Sequence, residues 1–282
     1  MTSDSNGNGA GRGGGGGGND EPPNTPSISY RQFYEVLEEK EREGSLISQQ
    51  RDNRRPELLQ RIQDSLVGRF QPFDSPLGGN KPIVYADWTA SGRQLHFIED
   101  FLRLEVMPFY GNTHTTTSIT GMQTTLYRHE ARQIIAESVN ARVTGKAAED
   151  IILFTGSGCT AAVHKMVHVL NLNHPLPASA DPVNDRPVVF AGPFAHHSNL
   201  LPWRESVAEV VSIRAAPRTG VDLVQLERLL HKYANRPLKV GAFTAASNIT
   251  GLCVDVDAVT GLLHKYKALA FWDYATAAPY LK

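Results

Sequence analysis

The residues best suited to chemistry in this 282-residue chain stand in four groups, each following a short apolar run that is typical of a buried strand. The loop that carries the first group contains Gly156 and Gly158, and glycine lets a backbone turn sharply and approach a ligand closely. A helical apolar pattern follows, and the N–H groups at a helix N-terminus favour an anion. This loop therefore predicts a site for a phosphate-bearing ligand. The four groups are Gly158-Cys159-Thr160, His196-His197, Ser247-Asn248 and Asp273.

The elements that would position these groups alternate between strands and helices along the chain. The predicted strands are continuously apolar, which is typical of a parallel sheet covered on both faces. Ligands of such sheets bind at the carboxyl ends of the strands, so the four groups would meet at one edge. The predicted fold class is therefore α/β, with a mostly parallel sheet and helices on both faces. The predicted strands are 83–85, 151–154, 188–190, 210–213, 240–243 and 268–272.

Two kinds of ligand compete for the glycine loop. Residues 156–161 fit the dinucleotide pattern G-x-G-x-x-A, but that pattern also needs an acidic residue at the end of the next strand. Here the strand at 188–190 is followed by Ala191, Gly192 and Pro193. Pyridoxal phosphate needs a phosphate cradle, a flat group against its ring, a donor near its hydroxyl and an acid beside its ring nitrogen. The four strand ends can supply these four parts, which favours pyridoxal phosphate.

Seven short motifs then occur in a recognisable order. They are YADWTAS at 85–91, YGNTH at 110–114, EAR at 130–132, GCT at 158–160, HHSN at 196–199, SNITG at 247–251 and DYA at 273–275. Through them the chain from 85 to 277 resembles the class V aminotransferase-type enzymes that depend on pyridoxal phosphate. This fold type I group includes the cysteine desulfurases and selenocysteine lyases. The resemblance implies the large domain of that fold, with its C-terminal part missing.

The resemblance also implies roles for five residues at the strand ends. Cys159 and Thr160 would hold the phosphate through backbone N–H groups and the Thr hydroxyl. His196 would stack on the pyridine ring as the catalytic histidine. Asn248 would approach the ring hydroxyl, and Asp273 would pair with the ring nitrogen through a charge-assisted hydrogen bond.

Three further positions follow from the same resemblance. Thr276 stands three residues after the acid, where desulfurase-like members carry a Gln that contacts the cofactor. Its side chain is shorter and offers one hydroxyl. Asn112 and His114 match a loop that lies near the substrate in relatives.

Each of these residues also has a purely structural interpretation. Thr160 could cap its helix, Asp273 could cap the segment that follows its strand, and Asn248 could serve the turn before the next glycine. His197 is expected to be a structural residue. Cys159 could be a small buried residue as readily as a functional one, and it is not expected to be a nucleophile. The functional interpretation rests on all of these residues occurring together, in the same order as in the family.

A lysine that forms a Schiff base with the cofactor is also implied by the resemblance. In relatives it follows another helix–strand unit after the acid, in a Ser-x-His-Lys-like context. This chain ends nine residues after Asp273, and Lys282 follows Pro-Tyr-Leu instead. We therefore expect the chain to be a fragment that lacks the catalytic lysine and is inactive alone. Four other lysines are predicted away from the strand ends, three of them on helices (Lys165, Lys265 and Lys267) and one at a strand start (Lys239).

Three regions are predicted along the chain. Residues 1–27 are rich in glycine and are expected to be a disordered tail. Residues 28–80 are expected to form N-terminal helices and a linker. Residues 81–282 are expected to form an incomplete pyridoxal-phosphate-binding large domain.

Composition excludes several classes of function. The net charge of −1 does not favour nucleic acid, and the sequence has no apolar run long enough to cross a membrane. Two cysteines cannot form a disulfide framework or a zinc site by themselves, so no metal and a cytoplasmic location are expected.

Two functions remain open from the sequence. The first is the N-terminal part of a pyridoxal-phosphate enzyme acting on a small amino-acid substrate, with a homodimer expected for the full-length protein. It resembles cysteine desulfurases and lyases, but aminotransferase and epimerase chemistry stay open. The second is a non-catalytic truncated subunit that pairs with a full-length partner.

Overall fold

The computed structural model describes residues 57–146 and 148–281. The predictions for the glycine-rich tail, for residues 28–56 of the N-terminal helices and for Lys282 lie outside these residues. The chain divides into two compact units, Met1–Asp64 and Ser65–Lys282. In the first unit, the described residues 57–64 form helix α1.

The second unit begins with a small antiparallel hairpin and ends with the main sheet. Among the described residues, no helix is both long and apolar enough to cross a membrane. The hairpin strands are β1 (Pro72–Asp74) and β2 (Asn80–Pro82), and the main strands are β3 (Val188–Ala191), β4 (Glu209–Ser212), β5 (Lys239–Thr244) and β6 (Leu269–Asp273). The helices are α2 (His96–Phe101), which continues into a π turn (Leu102–Val106) and a 3₁₀ turn (Met107–Phe109), then α3 (Ile119–Ser138), α4 (Gly158–Val169), α5 (His197–Arg204), α6 (Leu223–Lys232) and α7 (Val256–Lys265).

The main sheet has the order β4-β3-β5-β6, and all three strand pairs are parallel. The chain passes from β3 to β4 on one side of β3, and then to β5 on the other side of β3. The strand order therefore reverses between β3 and β5, which is where ligands bind in open parallel sheets. The four strands predicted at 188–190, 210–213, 240–243 and 268–272 are confirmed.

Helices cover both faces of this sheet, as predicted. One face carries a core that includes Phe190, Phe243 and residues of α6 and α7. The other face packs Val189, Ala242 and residues of α4 and α5. At Gly241 the missing side chain lets Leu263 of α7 pack directly against β5. The α/β fold class is therefore confirmed in the described part of the chain.

The helices begin at local signals that the sequence contains. Asp222 precedes α6, and its carboxylate accepts a hydrogen bond of 2.8 Å from the Gln225 amide. This bond holds the pKa of Asp222 below its usual range. Leu226 and Leu230 then bury the same side of α6 against the sheet. Asp222 is therefore the N-cap of α6, and the apolar face of this helix packs on the sheet.

Two of the predicted strands are wrong. Residues 83–85 and 151–154 are not part of any strand. Val84 is 87% exposed and Ile151 is 73% exposed. Neither segment pairs with a described strand, and a strand is defined by its hydrogen-bonded neighbour and not by its apolar residues alone. The apolar run before the glycine loop therefore does not belong to the sheet.

Charged groups cluster at the amino end of the sheet. Arg236 donates a hydrogen bond of 2.7 Å to Glu209, which also accepts one of 2.6 Å from the Tyr233 hydroxyl. The Tyr233 bond, followed by the Arg236 charge, lowers the pKa of Glu209. Lys239 is buried at this end, and its Nζ donates to the Ala234 carbonyl oxygen at 3.2 Å. These groups lie opposite to the carboxyl edge where the site was predicted.

Candidate cofactor site

The glycine loop presents the start of α4 without a side-chain cap. Gly156 and Gly158 have φ of 90° and 62°, a conformation that favours glycine over other residues. Ser157 stands at the cap position, but its side chain accepts no hydrogen bond from the helix. The first N–H groups of this 12-residue helix therefore have no side-chain partner at the N-cap, as an anion site requires.

A buried carboxylate lies at the carboxyl end of β6. Asp273 is 8% exposed, and its Oδ1 accepts a hydrogen bond of 2.9 Å from the Ala275 amide. Its backbone oxygen accepts from the Ala245 amide at 3.0 Å, which fixes the strand end. A buried carboxylate is stable only with such partners, so this position is suited to bind a cationic or protonated group.

Asp273 faces a cavity of about 370 Å³ between α4, α5 and β6. Most of the wall is apolar and includes Val163 and Phe271. Its polar groups are few and come from Cys159, Asn199 and Asp273. An apolar cleft with a few convergent polar groups is the usual form of a cofactor or substrate pocket.

Asn199 and Trp203 are among the cavity residues that were not predicted as site residues. Trp203 is 1% exposed and stacks on Phe271, with ring centroids 6.0 Å apart. Its Nε1 donates to Asn199 Oδ1 at 3.2 Å, and Asn199 Nδ2 donates to the Phe243 carbonyl oxygen at 3.4 Å. The i, i+4 spacing of Asn199 and Trp203 on the helix after the His-His pair is the sequence signal that could have identified them.

Of the predicted cofactor residues, the cavity wall brings together Cys159 and Asp273. His196 is exposed and caps α5, where its Nδ1 accepts from the Ser198 amide at 3.2 Å. Asn248 is also exposed. Both lie just beyond the carboxyl ends of β3 and β5, on the same edge of the sheet as Asp273. Thr160 on α4 is exposed, and Thr276 is half-buried just after β6.

The loop predicted to lie near the substrate stands apart from the cavity wall. Asn112 and His114 are exposed, and neither lines the cavity. Asn112 Oδ1 accepts a hydrogen bond of 3.0 Å from the Thr113 amide, and His114 has a φ of 73°. Within 57–146 and 148–281, no cluster of three or more His, Cys, Asp or Glu residues is arranged to hold a metal ion.

Cys159 lies beside Asp273, and the charge of Asp273 affects the pKa of the Cys159 thiol. Burial, followed by the negative charge of Asp273, raises the pKa of the Cys159 thiol to about 11. The thiolate is the nucleophilic form of cysteine, and a raised pKa keeps the thiol protonated at neutral pH. The expectation that Cys159 is not a nucleophile is therefore consistent with its surroundings.

We expect the two cysteines to differ in reactivity toward the thiol reagent DTNB. At pH 8 only about one Cys159 side chain in a thousand would be thiolate, given its pKa of about 11. Cys253 is exposed and should react first. The measurement is the time course of labelling in wild type and in Cys253→Ser, in which only slow labelling should remain. Adding Asp273→Asn to Cys253→Ser should accelerate this slow phase, because it removes the neighbouring charge. Equal labelling rates with and without Asp273→Asn would contradict the effect of Asp273 on the Cys159 thiol.

These residues fit pyridoxal phosphate in two respects. The start of α4 suits its phosphate, and the buried Asp273 carboxylate suits its ring nitrogen. No described lysine lines the cavity. Lys165 lies on α4 outside the cavity wall, Lys239 at the opposite end of the sheet, and Lys265 forms an ion pair of 2.8 Å with Glu227.

Known proteins of similar sequence and fold include cysteine desulfurases. A probable cysteine desulfurase of Mycolicibacterium paratuberculosis is 23% identical over 205 residues, which is 71% of this chain and 27% of that protein. The apo structure of a cysteine desulfurase from Thermococcus onnurineus matches with a TM-score of 0.51 and 18% identity, over 68% of this chain and 44% of the other. A cysteine desulfurase of Escherichia coli matches with a TM-score of 0.46 and 20% identity, over 67% of this chain and 44% of the other.

The chain thus spans less than half the length of each of these relatives. The family model for aminotransferase class V matches residues 84–282, which contain the glycine loop, the main sheet and Asp273. The likeness to the archaeal desulfurase shows the same fold at low sequence identity. The chain therefore belongs to the aminotransferase class-V family of pyridoxal-phosphate-dependent enzymes, with fold type I.

Proposed function

We propose that this chain is the cofactor-holding part of a cysteine desulfurase-like or lyase-like enzyme that acts on a small amino acid as a homodimer. The observation that carries the proposal is the buried Asp273 carboxylate facing an apolar cavity beside the start of α4. The family match and the desulfurase relatives support the same assignment. When bound, pyridoxal phosphate supplies an electron sink for amino-acid chemistry.

The chain's own residues would divide the work of holding this cofactor. The backbone N–H groups of Cys159 and Thr160 at the start of α4 would hold the phosphate. Asp273 would pair with the ring nitrogen and keep its proton in place. His196 would lie against the ring face, and Asn248 would bind the ring hydroxyl. Asn112, His114 and Thr276 remain proposed contacts of substrate or cofactor.

We further propose that this chain binds the cofactor without a covalent bond. Lys165 and Lys265 lie on helices and Lys239 lies at the amino end of the sheet. The prediction that Lys267 lies on a helix is wrong, because α7 ends at Lys265 and Lys267 stands in the turn before β6. Their positions do not bring an amine to the cavity wall. A chain with the phosphate cradle and the acid, but with none of its described lysines at the cavity wall, would hold the cofactor and remain inactive alone.

Binding of pyridoxamine phosphate tests the proposal, because this form carries an amine and needs no lysine. Titration calorimetry on the full 282-residue chain should show saturable binding of one equivalent, and tryptophan fluorescence should change since Trp203 and Trp272 line the cavity. Pyridoxamine without phosphate is the matched control and should bind far more weakly. Absence of saturable binding would refute the proposed cofactor site.

A second measurement tests the non-covalent mode. The chain is mixed with stoichiometric pyridoxal phosphate, reduced with borohydride and digested for mass spectrometry. No lysine should carry a stoichiometric pyridoxyl label. A full equivalent of label on Lys282 would show that this residue is the cofactor's anchor.

The alternative function, a non-catalytic subunit that pairs with a full-length partner, is supported by an exposed sheet edge. Among the described strands, β6 pairs with β5 alone, so its other edge has no described neighbour. Such edges bind additional strands readily. Size-exclusion chromatography with light scattering discriminates between the two: a folded monomer that binds pyridoxamine phosphate by itself would count against the subunit role.

A further inference from the structure

Thr244 is the last residue of β5, and its hydroxyl oxygen has no hydrogen-bond partner among the described residues. The residue is 6% exposed, and its Oγ1 is buried with no hydrogen-bond partner in the described structure. A buried hydroxyl that makes no hydrogen bond destabilises a protein, so such an atom calls for an explanation. Neither the fold nor the proposed cofactor contacts use it.

The strand register places Thr244 directly beside Asp273. The two residues are paired in the parallel ladder between β5 and β6. Two residues earlier on each strand, Ala242 and Phe271 pack into the core formed with α4 and α5. Side chains alternate along a strand, so Thr244 and Asp273 face this same side. The unpartnered hydroxyl is therefore a neighbour of the carboxylate that faces the cavity.

The Asp273 carboxylate can accept a further hydrogen bond from the Thr244 hydroxyl. Its Oδ1 already accepts from the Ala275 amide at 2.9 Å. A hydroxyl can rotate to donate to either oxygen of a neighbouring carboxylate, and a hydrogen bond to a charged acceptor is roughly twice as strong as a neutral one. A carboxylate held by two donors has fewer orientations, which favours one direction of approach for a bound group.

We propose that Thr244 is a positioning residue for Asp273, and that its hydroxyl donates to the carboxylate when the ring nitrogen of the cofactor pairs with it. The inference rests on the proposed function and assigns a residue that the family motifs quoted above do not contain. Thr244 does not touch the cofactor; it acts through the orientation of Asp273.

Two substitutions at this position separate the hydroxyl from the shape of the side chain. Thr244→Val keeps the shape and removes the hydroxyl, whereas Thr244→Ser keeps the hydroxyl. Titration calorimetry with pyridoxamine phosphate on the full chain should show binding about tenfold weaker for the Val variant. The Ser variant should stay within about twofold of wild type. Equal affinity of the Val variant and wild type would overturn the inference.

The unliganded protein supplies a readout that distinguishes positioning from a structural role. Because the hydroxyl makes no hydrogen bond in the described structure, its removal should leave the urea midpoint of Thr244→Val unchanged or higher. A structural role predicts the opposite, a lower midpoint together with weaker binding. A lower midpoint would therefore overturn the inference.

A double-mutant cycle tests whether Thr244 acts through Asp273. In the Asp273→Asn background, adding Thr244→Val should change affinity by less than about twofold, because the charged acceptor is already gone. An equal loss in both backgrounds would show that the hydroxyl acts independently of the carboxylate. If wild type itself binds no pyridoxamine phosphate, the proposed function fails first; if wild type binds and the Val variant binds equally, only the Thr244 assignment fails.

Discussion

Replacing Asp273 with Asn should weaken the binding of pyridoxamine phosphate about 10- to 100-fold. The carboxylate is 8% exposed, so water cannot replace the hydrogen bond that it would make to a protonated ring nitrogen. Hydrogen bonds to charged groups contribute about 1.5–3 kcal/mol, which corresponds to this range of affinity. The measurement is titration calorimetry on the full chain at one pH and one salt concentration.

The Asn substitution is chosen because it leaves the fold intact. Its side-chain oxygen can still accept the hydrogen bond from the Ala275 amide, so the strand end should be unchanged. A matched control is Asp257→Asn, which removes an exposed carboxylate in the first turn of α7. We expect the control to bind like wild type. An affinity of Asp273→Asn within twofold of wild type would reject Asp273 as the partner of the ring nitrogen.

Replacing Trp203 with Ala should lower the free energy of unfolding by about 3–5 kcal/mol. The side chain is 1% exposed, stacks on Phe271 and donates to Asn199, so its loss leaves both a void and an unpaired amide oxygen. Most domains are stable by only about 5–15 kcal/mol, so this single change removes a large part of the total. Urea unfolding followed by circular dichroism measures the effect.

A graded series separates the two contributions of Trp203. Trp203→Phe keeps a ring near Phe271 but removes the indole N–H, and should cost about 1–3 kcal/mol through the unsatisfied Asn199 oxygen. This variant keeps the prediction testable where the Ala variant does not fold. Trp88→Phe is the matched control, since Trp88 is 47% exposed and surface substitutions usually change stability by less than about 0.5 kcal/mol. A Trp203→Ala variant as stable as wild type would contradict the packing described here.

The sheet and its covering helices follow closely from local features of the sequence. The strands at 188–190 and 240–243 are short, continuously apolar and entirely buried, as a parallel sheet between two helix layers requires. Asp222 caps its helix through a bond to a residue three positions later, an interaction that depends on neighbouring residues only. Signals of this kind need no knowledge of the rest of the fold.

The segment 151–154 shows where such local reasoning stops. Its four apolar residues look like those of the buried strands, yet Leu153 is 56% exposed and the segment makes no strand pairing. A short apolar run indicates that its residues favour burial, but it does not indicate which element of the fold packs against them. Pairing depends on another strand being beside it, and that is a property of the tertiary structure.

The sequence by itself determined the parallel α/β sheet, the order of its motifs and the family resemblance that the family match later supported. It also placed His196, Asn248 and Asp273 at the ends of three strands. Only the tertiary structure decided which of these groups face a common cavity: Cys159 and Asp273 line it, whereas His196 and Asn248 are exposed.

The tertiary structure also decided that three further residues, Asn199, Trp203 and Thr244, lie near Asp273. Asn199 and Trp203 reach the cavity because α5 packs on the same face of the sheet as α4. Thr244 lies beside Asp273 because the register between β5 and β6 pairs them, although 29 residues separate them along the chain. The physical reason is that strand order and register are set by long-range packing and hydrogen bonding, which the pattern of any one segment does not contain.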